Sequence, residues 1–99
     1  MRRKKEKEDR LRIYARICGR VQGVGFRHYT KEHADRFNLT GWVKNRPDGD
    51  VELEAQGKRA DVIRLISALN QGPPMAFVQS VREHHTDLVD WEESFRVRR

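Results

Sequence analysis

Residues 11–30, LRIYARICGRVQGVGFRHYT, join two different periodicities through a loop that contains three glycines. Apolar residues alternate along residues 11–18, which is typical of a strand with one buried face. After the glycines, apolar and aromatic residues recur at helical spacing from Phe26 to Phe37. This stretch therefore predicts a strand, a loop and a helix in direct succession. Asn38 lies where asparagine can end a helix in the left-handed conformation.

The same two periodicities continue through the rest of the chain. Val62, Leu65, Ile66 and Leu69 form one stripe of a second helix, which the prolines of NQGPP (70–74) end because proline has no backbone donor. The remaining segments alternate and predict strands at TGWVKN (40–45), DVELEAQ (50–56), AFVQSVREHH (76–85) and, as a short fifth, SFRVRR (94–99).

The order strand, helix, strand, strand, helix, strand predicts an α+β protein. Two helices packed on one face of an antiparallel sheet of four or five strands is the two-layer arrangement that suits this order. RPDG, at 46–49, has the proline and glycine that a turn between two strands requires.

Length and composition indicate one small domain with a bias towards anionic partners. The chain has 99 residues and a net charge of +6. The first ten residues are charged and poor in apolar groups, so we expect residues 1–10 to be a disordered tail and residues 11–99 to form the domain. No apolar run follows the tail, so we expect no membrane association. A single cysteine, Cys18, excludes an internal disulfide and favours a cytoplasmic location.

The glycine loop indicates an anion-binding site. Several glycines between a strand and a helix allow successive amide groups to point into one concavity beside a helix N-terminus. The loop matches neither the P-loop, because no lysine follows, nor the dinucleotide motif, because the sixth position from Gly23 is His28. Arg20 and Arg27 flank the loop. The charge of Arg27 opposes the helix dipole, which is favourable if an anion lies between them.

Two blocks of the sequence carry a resemblance to a known family. GRVQGVGFR at 19–27, followed by GWVKNRPDG at 41–49, is similar to the two signature blocks of the acylphosphatases. QGPP at 71–74 and the element order agree with that family, and the resemblance covers residues 11–98. It implies a ferredoxin-like fold and hydrolysis of the carboxyl–phosphate bond of acyl phosphates.

The resemblance also implies roles for individual residues. Arg27 would bind the phosphoryl group, and Asn45 would position the attacking water. The loop that cradles the phosphoryl group, and that we take as the substrate-binding set, consists of Gly19, Arg20, Val21, Gln22, Gly23 and Val24.

This chemistry requires no general acid, because an acyl phosphate leaves as a carboxylate that is already a stable anion. Guanidinium and amide groups can bind the phosphoryl oxygens, and an amide carbonyl can accept a hydrogen bond from water. We therefore expect no metal and no cofactor. The expected partners are a small-molecule acyl phosphate as substrate and inorganic phosphate as product and inhibitor. The chain is expected to be a monomer.

One alternative class is a small basic nucleic-acid-binding module with the same ferredoxin-like fold. RNA-recognition domains share this element order, and the N-terminal segment is basic. Those domains stack bases on aromatic side chains of their central strands. DVELEAQ has no aromatic residue and carries three carboxylates, so specific nucleic-acid binding is not expected.

Overall fold

The computed structural model describes residues 9–99, and their elements follow the predicted order. The elements are β1 (Arg10–Arg20), α1 (Phe26–Arg36), β2 (Thr40–Asn45), β3 (Val51–Lys58), α2 (Arg59–Gln71), β4 (Phe77–Thr86) and β5 (Phe95–Val97). Most of the predicted tail, residues 1–8, lies outside the described residues. β1 begins at Arg10, the last residue that was assigned to the tail.

The five strands form one sheet in the order β4-β1-β3-β2-β5. Three of the four pairings are antiparallel, but β5 runs parallel to β2. The sheet is therefore mixed, which corrects the prediction of a purely antiparallel sheet. The alternation of a short strand reports which of its faces is buried, but it contains no information about strand direction.

One face of the sheet and the inner faces of both helices form the apolar core. The alternating residues of β1 and β3 that were predicted to face inward are buried, and so is the stripe of α2 except for Ile66, which is half-buried. α1 contributes Phe26, Thr30 and Ala34 to this core. Asn38 follows α1 with a φ of 57°, so the predicted left-handed residue is confirmed. The fold is the predicted two-layer sandwich.

The opposite face of the sheet is crossed by the connection between β4 and β5, residues 87–94, which we call the cross-face segment. Gln56 fixes it by donating to the carbonyl oxygen of Val89 at 2.7 Å and accepting from the Val89 amide at 2.9 Å. Arg12 donates to both carboxylate oxygens of Glu92, at 2.8 and 3.0 Å. The segment thereby brings the chain from one edge of the sheet to the other.

The cross-face segment buries an arginine that the sequence pattern assigned to an exposed face. The Arg12 side chain is 3% exposed and also donates to Glu54 at 2.7 Å. Burial acts to raise the pKa of the Glu92 carboxyl group, but the hydrogen bonds from Arg12 and Thr40 and the charges of Arg12 and Arg98 together hold that pKa below its usual value. Glu92 therefore remains ionised, and the buried guanidinium has two carboxylate partners.

We predict that Arg12→Ala lowers the free energy of unfolding by about 3–5 kcal/mol, because it leaves Glu92 buried without its partner. Arg16→Ala is the matched control. Arg16 lies on the same strand and face and pairs with Asp48 and Asp50, but its side chain is 40% exposed. An exposed pair contributes little to stability, because water and salt screen it. Urea denaturation measures the free energy of unfolding of both variants. Equal losses would contradict the larger effect that we assign to the buried arginine.

Candidate active site

The register of the sheet determines which residues meet at the end of the sheet where β1 and β2 finish. Val51 of β3 is paired with Ile17 of β1 on one side and with Asn45 of β2 on the other. β1 and β2 therefore run in the same direction and end beside each other, with one strand between them. β5 is parallel to β2, so its C-terminal end lies at the same end of the sheet. The loop after β1, Asn45 and the end of β5 are consequently neighbours.

The loop after β1 depends on two glycines in the left-handed region. Gly23 has a φ of 74° and Gly25 a φ of 79°. A Cβ atom added at either residue would meet nothing within 4 Å, so backbone conformation and not space accounts for glycine there. This pair of residues redirects the chain from the sheet into α1.

The N-terminus of α1 is open to a ligand. Gly25 is its N-cap residue and makes no side-chain capping hydrogen bond, and the first turn contains no acidic residue. The amide of Tyr29 donates to the carbonyl oxygen of Gly25 at 3.0 Å, which is the first turn of the helical ladder. The amides before Tyr29 have no acceptor within the helix, and they carry the positive end of its dipole.

A cavity of about 250 Å³ lies at this point and combines residues from three elements and the loop. It brings together Arg27 and Asn45, the two residues predicted to be catalytic. From the predicted loop set it includes Val21 and Gly23. Its complete lining is Val21, Gly23, Gly25, Phe26, Arg27, His28, Asn45 and Val97. We call it the phosphoryl cavity.

The other predicted loop residues lie outside this lining. Gly19 and Arg20 are the last residues of β1 and pair with Val78 and Phe77 of β4. Val24 is half-buried against the apolar core. Val21 lines the cavity, yet its side chain belongs to the core because the residue is only 1% exposed.

Gln22 connects the loop to the turn between β2 and β3. Its Nε2 atom donates to the carbonyl oxygens of Arg46, at 2.8 Å, and Asp50, at 2.9 Å. These two residues also bond to each other through the Arg46 amide, which donates to the Asp50 carbonyl at 2.8 Å. The side chain of Gln22 thus fixes the loop relative to the end of β2, where Asn45 lies.

Arg27 is oriented by the end of the chain. Its Nη1 atom donates to the carbonyl oxygen of Arg98 at 3.0 Å. The guanidinium of Arg98 lies over the ring of Trp42, 4.7 Å from its centroid. Trp42 lies on the face of β2 opposite to Asn45, so it does not line the cavity. Its ring instead contacts the guanidinium of Arg98, the residue whose carbonyl oxygen accepts the hydrogen bond from Arg27.

Arg46 follows Asn45 but does not share its role, because successive residues of a strand point to opposite faces. It donates to Asp48 at 3.0 Å and to Glu52 at 3.3 Å. The hydrogen bond that Arg46 donates to Asp48, opposed in part by desolvation, raises the pKa of Arg46. Asp48 has a lowered pKa because it accepts from the Asp50 amide and from Arg46. These contacts stabilise the turn predicted at RPDG.

Sequence patterns did not indicate Gln22 as a structural clamp, nor Val97 and Arg98 as parts of the site. A glutamine in a loop can bind a ligand or fix the backbone, and the sequence around Gln22 does not distinguish these two roles. β5 is only three residues long, so its location in the sheet depends on the cross-face segment, whose residues have no periodicity. The basic residue after β5 is the only sequence signal at this end of the chain.

The outer face of the sheet does not favour the nucleic-acid alternative. The carboxylates of β3 and of the residue before it form ion pairs with arginines: Asp50 with Arg16, Glu52 with Arg46 and Glu54 with Arg12. The cross-face segment covers part of the same surface. No aromatic side chain of β3 is available for stacking, as its sequence indicated.

Two further searches were limited to residues 9–99. Neither of the two helices there has the length and apolar character needed to cross a membrane. Within the same residues, no three of the histidine, cysteine, aspartate and glutamate side chains are grouped as a metal ion would require.

Comparisons with known proteins agree with this geometry. The family profile described as Acylphosphatase matches residues 13–97. The chain belongs to the acylphosphatase family. An acylphosphatase of Salinibacter ruber is 50% identical over 88 residues, which cover 89% of this chain and 93% of that relative.

Solved acylphosphatase structures share the fold. The structure of an acylphosphatase from Coxiella burnetii superposes with a TM-score of 0.88 and 40% identity, covering 94% of this chain and 97% of the other. The crystal structure of the acylphosphatase from Bacillus subtilis gives a TM-score of 0.86 and 34% identity, over 90% and 99% of the two chains. The ferredoxin-like fold and the activity implied by the resemblance are confirmed: this member of the acylphosphatase family is a hydrolase of acid anhydrides that acts on acyl phosphates.

The clamp formed by Gln22 leads to a test of the site's rigidity. We predict that Gln22→Ala lowers the free energy of unfolding by about 1–3 kcal/mol, because two side-chain hydrogen bonds are lost while both carbonyl groups keep a backbone donor. Turnover of acetyl phosphate should fall as well, since the loop is no longer fixed relative to Asn45. Gln79→Ala is the control, because Gln79 is an exposed residue of β4 that contacts only the Cys18 thiol among the side-chain hydrogen bonds of residues 9–99. If Gln22→Ala loses no more turnover than Gln79→Ala, the role of Gln22 as a clamp is contradicted.

Proposed function

We propose that acyl phosphates are hydrolysed in the phosphoryl cavity by direct attack of water, with Arg27 and Asn45 as the catalytic residues. The single observation that carries this assignment is that both side chains line one cavity at an uncapped helix N-terminus. The arginine comes from α1 and the asparagine from the end of β2. Their convergence across the sheet accounts for the two separate sequence blocks.

Arg27 binds the phosphoryl group of the substrate. Its guanidinium can donate two parallel hydrogen bonds to phosphate oxygens. The contact to the Arg98 carbonyl uses Nη1 and is made to a neutral group, so the positive charge of Arg27 is retained for the substrate. The same interaction strengthens as charge builds on the oxygens in the transition state.

The backbone amides of the loop and of the first turn of α1 complete the cradle. They are held by Gly23 and Gly25 and carry the partial positive charge of the helix N-terminus. We propose that the substrate-binding set, Gly19 to Val24, acts through the backbone. Gly19 contributes indirectly, because it pairs with Val78 and anchors the start of the loop.

Asn45 positions the attacking water. Its amide carbonyl accepts a hydrogen bond from the water without competing as a nucleophile. The oxygen of the water forms a bond to phosphorus as the bond from phosphorus to the acyl oxygen breaks, and the electron pair of that bond leaves on the carboxylate. The protons of the water pass to the phosphate product and to solvent. No general acid is needed for the leaving group.

The working state of the protein is proposed on separate grounds. We propose a monomer, because β5 is an edge strand of only three residues and the longer edge strand, β4, contains Arg82, Glu83 and adjacent histidines that oppose pairing with a second edge. A half-buried free thiol, Cys18, suits the reducing cytoplasm. We further propose that residues 11–99 are sufficient for catalysis and that residues 1–10 are dispensable.

Two substitutions separate the roles of the catalytic residues. Arg27→Ala should reduce kcat/KM for acetyl phosphate by about 10³-fold or more and weaken phosphate binding. Asn45→Ala should reduce kcat by about 10²–10³-fold while KM changes little, because a water-positioning group acts mainly in the transition state. Steady-state kinetics and phosphate titration measure both effects.

Matched controls for these substitutions lie on the same elements. Arg36→Ala removes an exposed arginine from the last turn of α1, and Lys44→Ala removes the neighbour of Asn45 on the opposite face of β2. Both should retain activity within about twofold, in line with surface substitutions. Activity retained by Arg27→Ala, or equal loss of phosphate affinity in both test variants, would overturn the division of roles.

The proposed cradle consists of amides and a guanidinium, so activity should not depend on a metal ion. We expect full turnover of acetyl phosphate after dialysis against excess EDTA, and competitive inhibition by inorganic phosphate. The comparison is between the chelated enzyme alone and the same enzyme with added Mg²⁺ or Zn²⁺. Inactivation by EDTA that either metal reverses would contradict the mechanism, as would phosphate inhibition that lowers only kcat.

A further inference from the structure

His28 lines the phosphoryl cavity but has no role in the chemistry described so far. It follows Arg27 directly and is the third residue of α1, so it belongs to the turn that carries the positive end of the helix dipole. The cavity has a volume of only about 250 Å³. An anion inside it therefore lies within the ~8–10 Å over which charges still interact at physiological salt.

The ring of His28 has a carboxylate as its neighbour. Its Nε2 atom lies 3.8 Å from a carboxylate oxygen of Glu32, one turn further along α1, and the two side chains are 80% and 59% exposed. When the imidazole is neutral, Glu32 leaves a negative charge one turn away from the cavity. When the imidazole is protonated, the two side chains form an ion pair and that negative charge is compensated.

The residues around His28 include few groups that titrate near neutral pH. Within residues 9–99, His28 lines the phosphoryl cavity and a second cavity between α1 and the chain after α2. β2, β5, the loop after β1 and the chain after α2 contribute only uncharged residues to these two linings. The charged or titratable side chains all belong to α1 and are Arg27, His28, Tyr29, Glu32 and His33.

Three of these side chains keep their charge state around neutral pH. Arg27 stays protonated and Glu32 stays ionised. Burial raises the pKa of the Tyr29 phenol, so that group stays neutral. Histidine is the side chain whose charge changes between about pH 5 and 8. His33 lines only the second cavity, and its Nδ1 atom lies 2.8 Å from the carbonyl oxygen of Tyr29. His28 is therefore the histidine that borders the phosphoryl cavity.

We propose that His28 is a second side-chain cation for the phosphoryl group, and that its protonation strengthens the binding of phosphoryl dianions. The inference rests on the proposed function of the phosphoryl cavity. The helix dipole disfavours a cation in the first turn of α1. An anion in the cavity offsets this effect, so binding of the phosphoryl group and protonation of His28 favour each other. The affinity for phosphoryl groups therefore increases as the pH falls through the range in which histidine titrates.

Sulfate is the probe, because it is a tetrahedral dianion at every pH of the experiment and only the protein titrates. Its inhibition constant against acetyl phosphate is measured at about pH 5.5 and about pH 8, which bracket the titration of histidine. We expect the constant of the wild-type enzyme to be about two- to fivefold lower at the lower pH, the scale of an exposed charge interaction.

Two substitutions fix the charge at this position. His28→Asn stays neutral, so its inhibition constant for sulfate should be high at both pH values. His28→Lys stays positive, so its constant should be low at both. The side chain lies outside the apolar core, so neither change disturbs packing. His85→Asn is the control, because His85 is an exposed histidine that pairs with Ile13 near the start of β1, at the end of that strand away from the cavity.

The outcomes distinguish the role of His28 from the reaction itself. A pH-dependent constant in the wild-type enzyme and in His85→Asn, but not in the two His28 variants, supports the proposal. A constant that does not change with pH in the wild-type enzyme, an equal change in His28→Asn, or no competition by sulfate overturns it. The proposed function survives these results as long as acetyl phosphate is hydrolysed and Arg27→Ala is inactive. If the wild-type enzyme does not hydrolyse acetyl phosphate, both proposals fail.

Discussion

Val51 lies between Ile17 and Asn45 in the sheet, and the location of the active site follows from this register. Adjacent strands are about 4.8 Å apart, so the ends of β1 and β2 are separated by about 10 Å. That distance is bridged by the loop after β1, through the clamp of Gln22 on the β2–β3 turn. A slip of one residue in either pairing would turn Asn45 to the opposite face. The geometry of the candidate active site is therefore a property of the strand register.

The two faces of the sheet have different tasks. The helix-facing side contains the apolar core, which orients α1 so that its N-terminus lies at the end of the sheet where β1 and β2 finish. The outer side contains the paired arginines and the cross-face segment, which is anchored by Arg12 and Glu92. That segment delivers β5 to the edge, so that the carbonyl oxygen of Arg98 can accept from Arg27. A buried ion pair on one face thus supports, on the other, the arginine that we propose to be catalytic.

Local patterns predicted the features that depend on local physics. Alternation located the strands, helical spacing located α1 and α2, and Asn38 marked a helix end. The parallel pairing of β5 and the burial of Arg12 could not be predicted, because both depend on where residues 87–94 cross the sheet. For the candidate site, the two sequence blocks identified Arg27 and Asn45. They gave no indication of Arg98, whose carbonyl oxygen reaches Arg27 only because distant segments meet there.

Arg27 differs in its contacts from the three arginines that bind the carboxylates of β3 and of the turn before it. Arg12, Arg16 and Arg46 each pair with carboxylates, which cancel their charge. Within residues 9–99, Arg27 makes no ion pair, and its hydrogen bond goes to an uncharged carbonyl group. The first turn of α1 also lacks an acidic residue, whereas that of α2 contains Asp61. The cation and the helix dipole repel each other in the free protein, and a phosphoryl group bound between them relieves that repulsion. Under the proposed assignment, the substrate supplies the counter-charge that Arg27 and the first turn of α1 lack within residues 9–99.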